Sequence, residues 1–158
     1  MVAILIRKAA IDDLEQIAVL FNDYRQFYEQ VYDLELATHF IKNRLVNQDS
    51  IIFVALNHEQ KLVGFCQLYP TFCSVMAAPI CVLYDLFVDV SARKTGAGKL
   101  LMLAAHEYAE NNGFARLDLT TAKTNLVAQS LYEALGWERD EVFYTYTKVI
   151  RSCDKSSV

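Results

Sequence analysis

Apolar and polar positions change rhythm several times along this chain, and each change marks an element. Val2–Arg7 is an apolar run that reads as a first strand. From Ile11 to about Gln30, Leu14, Ile17, Ala18 and Phe21 recur at three- and four-residue spacing, which predicts a helix. Asp12 or Asp13 can sit at its N-terminal end, where a carboxylate satisfies free amides. A second helix is predicted over Leu34–Val46 from Leu36, Phe40, Ile41 and Leu45. Ile51–Leu56 reads as a strand, Asn57–Gln60 as a polar turn, and Leu62 to about Phe72 as a returning strand that Pro70 bends. Ile80–Val90 is the next strand. Leu101, Ala104, Ala105, Tyr108 and Ala109 predict a helix over Leu100–Asn112, closed by Gly113. Arg116–Thr120 is a strand, and Asn125 caps a short helix that stops at Gly136. In Val142–Ile150, Val142, Tyr144 and Tyr146 alternate with Phe143 and Thr145, which predicts a final strand.

The order β-α-α-β-β-β-α-β-α-β describes a mixed α/β fold: a mostly antiparallel central sheet flanked by helices. Hairpin-connected strands in the middle should be antiparallel, and the strand-helix-strand around Gly96 parallel. The 158 residues suit one domain, expected over 1–150, with 151–158 as a polar tail. Five glycines and two prolines are too few for a long linker, so no internal boundary is expected.

A net charge of -4 argues against a nucleic-acid partner and favours a cationic one. The N-terminal stretch lacks the charged lead and long apolar region of a signal peptide, and no apolar run approaches a membrane span. Cys66, Cys73, Cys81 and Cys153 have no metal or redox spacing and read as reduced thiols, so a cytoplasmic location is expected. No metal site is expected, since His39, His58 and His106 are scattered and Glu110 stands where a second zinc-binding His would follow His106-Glu107.

The chemistry concentrates in Arg93-Lys94-Thr95-Gly96-Ala97-Gly98-Lys99, a basic, glycine-containing loop between a strand and a helix. Glycine lets the backbone approach a ligand, and a helix start offers unpaired amides and a positive dipole end, so the loop reads as an anion site for phosphate or pyrophosphate. A Walker A loop is excluded because Arg93 and Leu100 stand where glycine and Ser or Thr are needed. A dinucleotide fingerprint is excluded by Leu101 in place of its last glycine. Asp85 interrupts the apolar strand Cys81–Val88, so its carboxylate needs a partner, either internal or a substrate ammonium. Phe21, Tyr24, Phe27, Tyr28 and Tyr32 crowd the end of the first helix among Asp23, Glu29, Asp33 and Glu35, which makes either a core edge or an aromatic, acidic mouth. Asn125 and Tyr132, seven apart, share a helical face.

Arg93, Gly96 and Gly98 match the Gln/Arg-x-x-Gly-x-Gly/Ala signature, and the chain resembles the GCN5-related N-acetyltransferase (GNAT) superfamily. The resemblance extends over the helical pair after the first strand, Leu86-Phe87-Val88, and the segment from Asn125 through Leu131-Tyr132 to Gly136-Trp137. It implies a GNAT fold and acetyl transfer from acetyl-CoA to a primary amine by direct attack. It implies that the amides of Lys94 to Lys99, beside Arg93, hold the pyrophosphate. The backbone near Phe87 and Val88 would pair with the pantetheine arm, Asn125 would contact acetyl-CoA, and Tyr132 would protonate the departing thiolate. The strand Leu83–Val88 resembles that of spermidine/spermine acetyltransferases, where two adjacent acids occur; here Tyr84 replaces the first and Asp85 keeps the second. Phe21–Leu36 and Leu68-Tyr69-Pro70 resemble the histone and polyamine acetyltransferase branch. The acceptor is then a small cationic or peptidyl amine, with Asp85 catalytic and Tyr24, Tyr28 and Tyr84 near the substrate. A homodimer is expected, as are two rival readings: a non-catalytic CoA-binding regulatory module, and transfer of a different acyl group.

Overall fold

A computed structural model describes residues 3–151. The expected start of the first strand at Val2, Cys153 and the tail past Arg151 lie outside the described residues. The chain divides between Thr120 and Thr121 into two compact units.

The first unit holds a five-stranded sheet in chain order: β1 (Leu5–Lys8), β2 (Ile51–Leu56), β3 (Leu62–Cys73), β4 (Ala78–Val88) and β5 (Leu117–Asp118). Pairing is antiparallel from β1 to β4 and parallel between β4 and β5, as the connection lengths require. Helices α1 (Leu14–Phe27) and α2 (Leu34–Asn47) bury Ile17, Phe21, Ala37 and Ile41 with Val54, Phe65 and Phe87. Helix α3 (Ala97–Asn111) packs on the sheet as well, burying Leu101, Met102 and Ala105, and the Leu101 carbonyl accepts from the Cys66 thiol at 3.7 Å. Every residue of Leu62–Leu68 is buried, which is why β3 begins as an apolar run rather than an alternation.

Two local devices set the helix positions. Gly64 lies where β3, β4 and α3 converge: a Cβ there would meet the Phe87 carbonyl oxygen at 2.9 Å and Leu101 Cδ1 at 3.5 Å. Asp13 precedes α1 and takes both guanidinium nitrogens of Arg7 at 2.7 and 2.8 Å and the Ala10 amide at 2.7 Å, tying β1 to the helix start. Helix α1 ends at Phe27, short of the expected Gln30, because Glu29 turns left-handed (φ 61°) and the Gln30 amide folds back to the Arg25 carbonyl.

The second unit contains α4 (Leu126–Ala134), started by Asn125, whose Oδ1 accepts from the Ala128 amide at 3.3 Å. Gly136 follows at φ 84°. The strand expected over Val142–Ile150 is absent. Val142, Phe143, Tyr144 and Tyr146 are all exposed, and alternation gives a strand only where a neighbour completes the backbone ladder.

The Arg7 hydrogen bonds hold the Asp13 carboxyl below the usual carboxylate range. The stability this adds is present above the unfolded pKa near ~4 and lost as pH falls through the lower folded value. Asp13→Asn is expected to cost on the order of 1 kcal/mol at pH 7, since Arg7 is partly solvated. Urea denaturation should show that difference shrinking below about pH 4.

Candidate active site

Strand β4 is paired with β3 along its length but with β5 only at Cys81 and Val82. Among the described residues no strand pairs with β4 on that side beyond Val82. The Asp89 amide bonds the Val63 carbonyl at 2.9 Å, and antiparallel pairing alternates from there. Phe87 and Asp85 therefore direct their backbone groups at β3, while those of Leu86 and Val88 face the open side. Arg93 Nε reaches the Val88 carbonyl at 3.4 Å. The Phe87 side chain belongs to the core against α1 and α2.

A bulge then sorts the side chains of β4. Gln67 pairs with Asp85 and its neighbour Leu68 with Leu83, so Tyr84 is the extra residue. Opposed residues share a face and consecutive residues do not. Leu83 and Asp85, two apart, are thus sent to opposite faces, and Asp85 emerges on the α1 side while Tyr84 is 66% exposed.

Asp85 is 4% exposed. Gln67 Nε2 donates to its Oδ2 at 2.7 Å, and the Tyr24 hydroxyl lies beside the carboxylate. Burial pushes the Asp85 pKa up, and these two polar neighbours work against that. No Lys, Arg or His among the described residues pairs with it. Tyrosines surround it instead. The Tyr24 hydroxyl bonds the Tyr84 carbonyl at 3.3 Å, Tyr24 and Tyr28 meet edge to face at 5.1 Å, and Tyr69 and Tyr84 do so at 5.5 Å. Burial, then the nearby Asp85 charge, raises the pKa of Tyr24, Tyr28 and Tyr69, so all three are phenols at neutral pH. The structure thus brings Asp85, Tyr24, Tyr28 and Tyr84 together at the first helix. Gln67 and Ser50, whose hydroxyl donates to Gln67 Oε1 at 2.8 Å, belong to the same group and are missed by sequence reasoning. One signal was present: a lone amide inside the apolar run Leu62–Leu68.

The basic loop follows β4. Asp89 starts a single 3-10 turn, Val90–Ala92, by accepting from the Ser91 amide and hydroxyl. Lys94 (φ 63°) and Gly96 (φ 89°) are both left-handed, and Thr95 Oγ1 bonds the Ala92 carbonyl at 2.7 Å. Helix α3 starts at Ala97 with no side chain capping it, and Leu100 makes the first helical bond back to Gly96. The amides of Ala97, Gly98 and Lys99 are left for an external acceptor, with Arg93, Lys94 and Lys99 exposed around them. An uncapped helix start beside an unpaired strand edge suits a ligand that joins a pyrophosphate to an amide-bearing arm.

Residues 14–137 match the family model described as the acetyltransferase (GNAT) family. The chain belongs to this family. It is 48% identical over 141 residues to an uncharacterized N-acetyltransferase, YhfO, of Bacillus subtilis, covering 89% of this chain and 94% of that one. It is 31% identical over 126 residues to a probable acetyltransferase of Haemophilus influenzae, covering 80% and 84%. A crystal structure of a probable acetyltransferase superposes with a TM-score of 0.88 at 34% identity, over 94% of this chain and 99% of the other. The five-stranded sheet flanked by helices is accordingly a GNAT fold, and the protein is an acetyltransferase.

Of the other GNAT positions, Asn125 and Tyr132 lie in the second unit. Asn125 caps α4, and Tyr132 is half-buried with its ring 6.3 Å from that of Trp137. No group of His, Cys, Asp and Glu among the described residues is arranged to hold a metal.

Around Gly96 a Cβ would meet nothing within 4 Å, so only backbone strain opposes a side chain there. Gly96→Ala is expected to cost about 1 kcal/mol in urea denaturation through the left-handed conformation alone.

Proposed function

We propose that this acetyltransferase moves an acetyl group from acetyl-CoA to the primary amine of a small cationic molecule or a peptidyl lysine, by direct attack. The observation that carries this reading is Asp85, a buried carboxylate with no cation from the described residues, ringed by tyrosines and lying in the strand whose edge is open. An ammonium would supply the missing charge, and the phenol faces would favour it further.

Each residue has a task. The loop amides of Lys94 to Lys99, with the Arg93 side chain, would hold the pyrophosphate. The outward backbone groups of Val88 and Leu86, beside Phe87, would take the arm as an added strand, and one such amide would steady the developing oxyanion. Asn125 would help hold the donor. Asp85 would seat the ammonium and, with Tyr24, Tyr28 and Tyr84 around it, accept or relay the proton the amine must lose. Tyr132 would return a proton to the departing thiolate, a task suited to a phenol whose pKa is close to a thiol's. The bound donor brings the thioester; the chain contributes positioning and proton management.

The loop would recognise the CoA phosphates rather than the acyl group, so the donor's acyl length is set elsewhere. Cys66, Cys73 and Cys81 are free thiols, which suits the reducing cytoplasm. The exposed apolar residues of 142–150 are the surface through which we expect a homodimer to form.

Following CoA release from acetyl-CoA across a panel of polyamines, lysine peptides and neutral amines tests the reading; turnover should be confined to cationic amines, and turnover of none would reduce the protein to a CoA-binding module. Tyr132→Phe should lower kcat by about tenfold or more, with acetyl-CoA affinity by calorimetry nearly unchanged; unaltered turnover would remove the acid role. Asp85→Asn should raise the amine KM by about tenfold or more, because a charge-assisted contact is lost. It should also be at least as stable as wild type at pH 8, since ionising the buried carboxyl costs the fold.

A further inference from the structure

We propose that Gln67 is a positioning residue: clamped by Ser50, it holds the Asp85 carboxylate anionic and in one orientation for the incoming ammonium. This rests on the acceptor reading of Asp85 given above.

Gln67 is fully buried in β3, directly opposite Asp85 at the bulge. A buried amide without partners is costly, and Leu would fill the same space without that cost. Gln67 has partners at both ends. Ser50 Oγ donates to its Oε1 at 2.8 Å, and its Nε2 donates to Asp85 Oδ2 at 2.7 Å. The direction is fixed, because reversing the amide would set its oxygen against the carboxylate. Ser50 stands immediately before β2, where Ile52 pairs with Gln67. The chain of hydrogen bonds Ser50–Gln67–Asp85 therefore crosses the sheet from the start of β2 through β3 to β4, with Tyr24 of α1 beside its end.

The groups facing Asp85 leave this task to Gln67 and Tyr24. Tyr24 comes from α1, Tyr28 from the residue that follows it, Tyr69 from β3 and Tyr84 from β4, and none of them is a cation. Arg44 of α2 acts on Tyr69, but its guanidinium is bonded to Asp49 at 2.7 Å. Gln67 is thus, among the described residues, the one fully buried donor to the carboxylate. Removing it makes the anion harder to form; freeing the amide by removing Ser50 loosens its aim.

The test is a carbon-13 titration of the Asp85 carboxyl in aspartate-labelled protein, its resonance assigned with Asp85→Asn. In Gln67→Leu the midpoint should rise by about one unit or more. In Ser50→Ala it should rise by less, and Ser50→Thr should restore it. At a pH where the wild-type carboxyl is ionised, the amine KM of Gln67→Leu should rise about tenfold and recover at higher pH, with the acetyl-CoA KM unmoved. An unchanged midpoint and amine KM in folded Gln67→Leu overturns the proposal. If Gln67→Leu does not fold, the same result in Ser50→Ala overturns it. Failure of the acceptor reading looks different: Asp85→Asn would keep wild-type amine kinetics while Gln67→Leu still moves the titration. That result would remove the amine from the proposal and leave Gln67 holding the carboxylate alone.

Discussion

A carboxylate buried without a cation is costly, and β4 is organised around that cost at Asp85. The bulge at Tyr84 separates Asp85, on the α1 face opposite Gln67, from Leu83 on the other, and there Gln67 donates to the carboxylate with Tyr24 beside it. Had the hairpin-end register, in which Leu83 opposes Leu68, run on without the extra residue, Asp85 would oppose Cys66 instead of Gln67. The tyrosines answer the same constraint. They are large enough to exclude water, their rings favour a cation, and none brings a positive charge that would satisfy Asp85 permanently. The site is left incomplete in charge, and in the proposed reading an ammonium would complete it.

In the proposed reading the same strand would serve the donor through its edge. Beyond Val82 no described strand covers β4 on the β5 side, and the chain then turns through Asp89 into the loop and the uncapped start of α3. Gly64 permits this crowding, because any side chain there would strike the Phe87 carbonyl and press on Leu101. The proposed acceptor face of β4 and the proposed donor edge would therefore be fixed by one piece of backbone.

How much of this was legible in the sequence depends on what each feature needs. The strands Ile51–Leu56, Leu62–Cys73 and Ala78–Val88, and the α3 helix, are announced by apolar runs and by polar or glycine breaks, because burial is itself a composition. The loop was legible because Arg93, Gly96 and Gly98 have fixed spacing and no competing motif fits. Asp85 stood out as a charge in an apolar strand. Gln67 and Ser50 did not, because their importance comes from lateral register across three strands, which no local pattern records. The bulge at Tyr84 was hidden for the same reason, and it reverses what plain alternation implies for Leu83 and Asp85. Val142–Ile150 failed in the opposite sense: the alternation is present, but a strand also needs a partner, and the described structure gives it none.

The central claim is that Asp85 awaits an ammonium, and the most direct measurement is a crystal structure with CoA and a cationic amine bound together. The account predicts the amine nitrogen within about 4 Å of the Asp85 carboxylate. Gln67 should still donate to that carboxylate, with the tyrosine rings around the alkyl stem. An amine seated elsewhere, with Asp85 bonded only to Gln67, would contradict it.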